Sequence, residues 1–206
     1  MIFDFKKLST TERYKLMSFS VVPRPIAWIT TLKENGQRNA APFSFFNIMA
    51  SDPPLLGIGI VSRPPRIKDT TQNIVRSGQF VVNLVPQDML HEMNITAMEF
   101  GDEVDEIDQA GLEVVASEKV KPPRLACSPV AFECRLFQNI ALPSGQNIIL
   151  GEVLLAHIAD EAVIDAQKCY LDTQKLKLIG RLDNRYIAID NPIDLPRLEA
   201  SQWTVK

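Results

Sequence analysis

Proline placement constrains this chain more than any other feature. Seven of its fourteen prolines, Pro23, Pro25, Pro42, Pro53, Pro54, Pro64 and Pro65, fall between residues 23 and 65. Proline fixes φ and offers no N–H, so it is excluded from helix interiors and from the middle of central strands. The segments between these prolines must be short and extended. Ile26 to Leu32 is rich in β-branched and aromatic residues, and Asn35-Gly36 then predicts a hairpin with a return run over Asn39 to Phe46. Leu55 to Val61 is a third strand, flanked by Pro53-Pro54 and Pro64-Pro65, and Phe80 to Val85 is a fourth. Val130 to Ile140 and Ile148 to Ile158 form a second long hairpin around Pro143-Ser144-Gly145, and Tyr186 to Ile189 is a last short strand.

Helical signals are few. Thr70 to Ser77 is bounded by Asp69 as N-cap, with Gln72 three residues on and Gly78 after the last turn. Pro86 opens a second helix at its first position, running to about Met98, and Gln167 to Leu176 is a third. No internal repeat and no domain boundary is visible, so the 206 residues read as one domain, with a core over about 20–190 and an extension over 191–206. The expected fold is mainly β, a closed antiparallel barrel with inserted helices rather than a doubly wound sheet.

Charge and missing motifs exclude several functions. Lys plus Arg number 22 against 25 Asp plus Glu, a net charge of −3, which gives no general attraction to nucleic acid or to acidic membranes. No run of eighteen apolar residues exists, and the longest, Ile148 to Ala159, contains Glu152 and His157 and reads as a strand. The N-terminus has Asp4 early and no apolar stretch of signal-peptide type, and the three cysteines form no C-x-x-C, so a reduced, cytoplasmic compartment is expected. His91 and His157 lack metal-ligand spacing, no zinc site is expected, and both read as surface or packing residues. No G-x-S-x-G, Walker lysine loop or H-E-x-x-H is present. Gly57-Ile58-Gly59 imitates half of a dinucleotide fingerprint, but it lies inside a strand pattern and marks a close approach to the backbone. The acidic run Gly101 to Asp108 lacks calcium-loop spacing and reads as a solvated loop or short helix.

Residues 21 to 74 carry the chemistry. Between Asn39 and Ser62 the only formal charge is Asp52, and Ser44, Asn47 and Ser51 stand among Phe43, Phe45 and Phe46. An apolar wall with a few neutral hydrogen-bonding groups suits a flat heteroaromatic ligand, although two core strands with incidental polar residues would look the same. Arg63, Arg66 and Lys68 follow, and then Asp69 and Thr70 open a helix. Cations, a hydroxyl and free N–H groups at a helix start favour an anion such as phosphate. Taken together, the two features describe one ligand with a planar ring and a phosphate.

These segments resemble the flavin reductase-like, FMN-binding split-barrel family. The resemblance rests on Val21-Val22-Pro23-Arg24-Pro25-Ile26-Ala27-Trp28-Ile29-Thr30-Thr31, Asn39-Ala40-Ala41-Pro42-Phe43-Ser44-Phe45-Phe46-Asn47 and Asp52-Pro53-Pro54. It continues through Lys68-Asp69-Thr70 with Asn73-Ile74, Phe80-Val81-Val82-Asn83, Pro123-Arg124, Ser128-Pro129-Val130 with Glu133-Cys134, and Gly180-Arg181-Leu182 with Tyr186. Asp183-Asn184 departs from the family, which commonly has glycines there. The resemblance implies a homodimer of Greek-key split β-barrels with FMN, in preference to FAD, near the subunit interface. It implies that Trp28, Thr30, Ser44, Phe45 and Asn47 line the isoalloxazine and that Ser51, Arg63, Lys68 and Thr70 hold the phosphate end, with Asp69 as N-cap. It further implies hydride transfer from NAD(P)H to flavin N5 and on to a second acceptor. Two alternatives remain open at the level of residues: an electron-transfer flavoprotein reduced by a redox partner protein, and a flavin-binding module without turnover.

Overall fold

The computed structural model describes residues 1–62, 67–101 and 103–196. Thirteen strands are present among them, with four α-helices. Helix α1 is Thr10–Ser20, and it is followed by β1 (Ala27–Leu32), β2 (Arg38–Phe43), β3 (Phe45–Ser51) and β4 (Pro54–Ile60). Then come α2 (Asp69–Ser77), β5 (Gln79–Leu84), α3 (Leu90–Ile95), α4 (Glu106–Gln109) and the short β6 (Val114–Val115) and β7 (Arg124–Leu125). The long hairpin is β8 (Val130–Ala141) and β9 (Asn147–Ile158), followed by β10 (Val163–Asp165), β11 (Tyr170–Leu171), β12 (Ile179–Arg181) and β13 (Tyr186–Ala188).

Seven strands form one antiparallel sheet in the order β2-β1-β5-β8-β9-β4-β3. Its first and last strands, β2 and β3, are separated in the chain by Ser44 alone. A sheet whose two edges are joined by one residue must roll onto itself, and no ladder links β2 to β3. The barrel is therefore split, where strand patterning without the family resemblance predicts a closed one. The connection from β4 through α2 to β5 crosses between the two halves of the sheet, giving a Greek-key order.

Alternation along the strands fills the roll. Ala27 and Ile29, Leu56, Ile58 and Ile60, Phe80 and Val82, with Cys134, Ile149 and Ile74 of α2, form the principal core. The opposite face of β1 is also covered. Ile26, Trp28 and Ala40 pack with Val85, Met93, Ile107, Leu125 and Ile179 from the segments that follow β5. With both faces covered, every β1 residue from Ala27 to Thr31 is buried, the hydroxyls of Thr30 and Thr31 included.

The helices differ from expectation. Lys68, not Asp69, occupies the N-cap of α2 and makes no side-chain cap bond, while Gln72 Nε2 donates to the Ile67 carbonyl at 2.9 Å. Gly78 does close the helix in the left-handed conformation, at φ 69°. Pro86 is followed by a 3-10 turn over Gln87–Met89 and then the short α3, which ends at Ile95. Gln167 to Leu176 is no helix; turns flank β11 there. Asn39 to Phe46 is two strands broken at Ser44. No helix among the described residues is long and apolar enough to cross a membrane.

Candidate functional site

A cleft of about 1120 Å³ opens where the sheet is split. Its floor comes from β2 and the start of β3, with Asn39, Ala40, Pro42, Phe43, Ser44 and Phe45. Gly59 of β4 pairs with Phe45, and a Cβ there would lie 3.0 Å from Phe45 Cβ. At Gly57 a Cβ would lie 2.6 Å from Met49 Cγ. The two glycines are thus close-approach points inside a strand, as their sequence context predicts.

One end of the cleft is built around the start of α2. Thr70 is buried, and its Oγ1 accepts from Asn39 Nδ2 at 3.2 Å. Lys68 donates its backbone N–H to Ser62 Oγ at 3.3 Å and pairs through Nζ with Glu99 at 3.3 Å. Lys68, at the N-cap, makes no side-chain cap bond to the helix start. Ser144 and Gln146 of the β8–β9 turn also line this cleft.

Ser44 lies at the other end of β2, five residues from Asn39, or about 17 Å in extended chain. Its Oγ accepts from Arg24 Nε at 3.3 Å. Arg24 also donates to the carbonyls of Ser18 and Val21, tying the end of α1 to the barrel. Helix α1 covers this end: the Tyr14 and Phe45 rings are 5.8 Å apart, tilted by 31°. The Arg24 guanidinium lies 6.0 Å from the Phe45 ring. Arg181 and Tyr186 close the wall from β12 and β13.

Of the sequence-derived site residues, Ser44, Phe45, Lys68 and Thr70 line the cleft. Trp28 and Thr30 do not. Trp28 is wholly buried one layer behind, its Nε1 donating at 2.9 Å to Thr96 Oγ1, and Thr96 in turn faces the cleft. Thr30, also wholly buried, donates to the Pro123 carbonyl at 2.5 Å. Asn47 and Ser51 are exposed further along β3, away from the lining. Arg63, like Arg66, lies outside the described residues. Strand patterning shows that β1 is buried but not by what, because its second face is covered by segments distant in the chain.

Sequence reasoning missed α1 and with it Tyr14, Arg13 and Met17 of the lining. A signal existed: Ser9-x-x-Glu12 is a capping box, and both of its reciprocal bonds are formed. Glu106 was hidden in the acidic run. That run yields the short helix α4, capped by Asp105, and Glu106 is buried on the cleft wall, where its carboxylate accepts from Ala40 N–H at 3.4 Å. Burial pushes the Glu106 carboxyl above its ordinary range. Burial also pushes the Cys127 thiol up to about 11, which removes it as a nucleophile at neutral pH.

The sequence pattern of the flavin reductase like domain matches residues 18–174. The chain belongs to this family. Its flavin reductase-like sequence is 39% identical to the uncharacterised protein YwrF of Bacillus subtilis over 191 residues, covering 91% of this chain and 93% of that one. The 2-nitrobenzoate 2-nitroreductase NbaA of Pseudomonas fluorescens superposes with a TM-score of 0.90 at 29% identity, covering 100% of both chains. A Shewanella frigidimarina structure with a split barrel domain has a TM-score of 0.82 at 23% identity, covering 96% of this chain and 100% of that one. That likeness concerns the fold, and it agrees with the split between β2 and β3. The cleft of this flavin reductase-like chain thus lies at the seam of its barrel.

Proposed function

We propose that the protein is an FMN-dependent oxidoreductase of the flavin reductase type, using NADH or NADPH as donor. The observation that carries this reading is the cleft: a neutral, aromatic-lined floor leads to an uncapped helix start beside a lysine. A volume of about 1120 Å³ is ample for a mononucleotide. The donor set fits as well, since Phe45 and Tyr14 offer ring surface and Ser44, Asn39 and Thr70 offer uncharged hydrogen-bonding groups. Bound FMN would supply hydride acceptance at its N5 and onward delivery of electrons to a second acceptor.

The chain's own part is binding and orientation. Lys68, Thr70 and the first N–H groups of α2 hold the phosphate, with Lys68 exchanging Glu99 for it. Ser44 and Phe45 position the ring, and the missing side chain at Gly59 lets Phe45 approach β4 closely. Helix α1 excludes water from the Ser44 end, where Tyr14 lies beside Phe45. Trp28 and Thr30 act from behind the wall by fixing Thr96 and the segment around Pro123. We further propose a cytoplasmic homodimer. On the edge strand β3, Ile48 is 74% and Met49 54% exposed, an apolar strip that a second copy would cover. Asn47 and Ser51 share that strand and would meet the cofactor only across such an interface.

Anaerobic titration of the FMN-loaded protein with NADH and NADPH, followed at the flavin absorbance band, tests the reaction. Bleaching by either nucleotide is expected. Bound FMN that neither nucleotide bleaches would leave flavin binding intact and contradict the reductase reading in favour of reduction by a partner protein.

A further inference from the structure

Two arginines meet at the Ser44 end of the cleft. Arg24 and Arg181 face each other across an antiparallel bridge, each backbone N–H donating to the other's carbonyl at 2.9 and 2.8 Å. Side chains directly opposite in such a pair lie on the same side, and like charges placed so repel. Both residues line the main cleft. Arg24 is only 6% exposed. Burial pushes its guanidinium down from its ordinary range; Tyr14 opposes this, and the neighbouring Arg181 adds the smallest contribution, also downward.

Among the described residues no carboxylate forms an ion pair with Arg24 or Arg181; their partners are carbonyls and hydroxyls. Arg24 donates to Ser18, Val21 and Ser44. Arg181 donates to the Asp183 carbonyl at 2.8 Å and to the Tyr186 hydroxyl, and lies 4.6 Å from the Tyr186 ring centre. The nearest acid in sequence, Asp183, is turned to Arg185, with contacts of 3.0 and 2.8 Å. Arg185 accordingly holds the Asp183 carboxyl down at about 2. Of the other acids on the cleft wall, Glu99 pairs with Lys68, Glu106 accepts from the Ala40 N–H and Asp69 opens α2. Burying a guanidinium without an anion is unfavourable, and two facing each other more so.

We propose that Arg24 and Arg181 form an anion subsite that takes the carboxylate of a small aromatic acid, the second substrate of the cleft. The rings of Tyr14, Phe45 and Tyr186 supply the apolar surroundings for the aromatic body. The Tyr186 hydroxyl already accepts from Arg181, so its own proton is free to be donated to a second carboxylate oxygen. An adjoining cavity of about 570 Å³ shares Asn94, Arg181 and Tyr186 with the cleft and gives a larger acid room, its one carboxylate being the exposed Asp88. This subsite lies about 17 Å of extended strand from the Thr70 end. Its role as a substrate site rests on the flavin reading; its preference for an anion does not.

Calorimetric titration with benzoate and with neutral benzamide, with and without FMN, tests the subsite. Benzoate is expected to bind at least about tenfold more tightly, the scale of a charge-assisted bidentate contact. Arg181→Gln should remove that preference, and Arg181→Lys should keep part of it, with circular dichroism unchanged in both. Equal affinity for the two ligands in the wild-type protein would overturn the proposal, as would a folded Arg181→Gln variant that still prefers benzoate. The flavin phosphate is the rival anion. FMN and riboflavin affinities should differ by the same factor in wild type and Arg181→Gln; collapse of that factor would assign the arginines to the phosphate and overturn the proposal. A protein that binds no flavin but still prefers benzoate would refute the flavin reading alone.

Discussion

Lys68 stands where a helix start, a cation and a hydroxyl converge. Lys68→Ala should weaken FMN binding by about 1–3 kcal/mol, as loss of a charge-assisted hydrogen bond does. Its pair with Glu99 is solvent-screened and adds little to stability, so urea midpoints should match wild type. Flavin fluorescence quenching and urea unfolding measure the two quantities. A different residue tests the barrel interior. At Gly151 a Cβ would fall 2.3 Å from Cζ of the fully buried Phe80. Gly151→Ala should therefore destabilise the fold by about 1–3 kcal/mol, read as a lower urea midpoint. At this scale the sequence was legible wherever one strand face decides the environment. Ser44, Phe45, Gly57 and Gly59 could be read for that reason. Trp28 and Thr30 could not, because their surroundings come from residues 96 and 123, far away in the chain.

The elements separate into those fixed by pattern and those fixed by contact. The strands of the long hairpin and of β1, β4 and β5 follow from β-branched runs bounded by proline and glycine. Helix α1 does not show itself by periodicity, since Ser18 is its only buried residue. Its start is set by the Ser9–Glu12 capping box, so Ser9→Ala should cost about 1 kcal/mol in α1 alone. Hydrogen exchange should speed up across Thr10–Ser20 while the barrel strands keep their protection. Glu133 performs a comparable local task between β8 and the segment before β7. Its wholly buried carboxylate accepts from the backbone N–H groups of Glu118, Lys119 and Val120 at 2.8, 2.5 and 3.2 Å and meets His157 Nε2 at 2.7 Å. Burial alone would raise that carboxyl. The His157 contact and the Glu118 and Lys119 N–H groups outweigh it and hold it below its ordinary value of 4.5. The stabilisation is complete above that value and is lost as pH falls through the lower folded one. Glu133→Gln should cost about 1–3 kcal/mol at pH 7 and flatten the fall in urea midpoint below about pH 4.5.

For the whole molecule, the joining of β2 to β3 through Ser44 matters most. It makes the sheet edges meet, and the seam between them becomes the cleft. Short strands and proline punctuation announce a barrel, but the split depends on pairing between segments far apart, which local patterning does not encode. The exposed Ile48 and Met49 on β3 predict a dimer; sedimentation should give twice the chain mass, and Ile48→Asp should shift it to monomer. The account's central claim is that the seam holds a flavin mononucleotide. Titrating FMN into the purified protein while recording the flavin absorbance and fluorescence tests that claim most directly. One FMN per chain should bind, with a perturbed flavin spectrum and quenched emission. A flavin spectrum that stays that of free FMN at every protein concentration would contradict it.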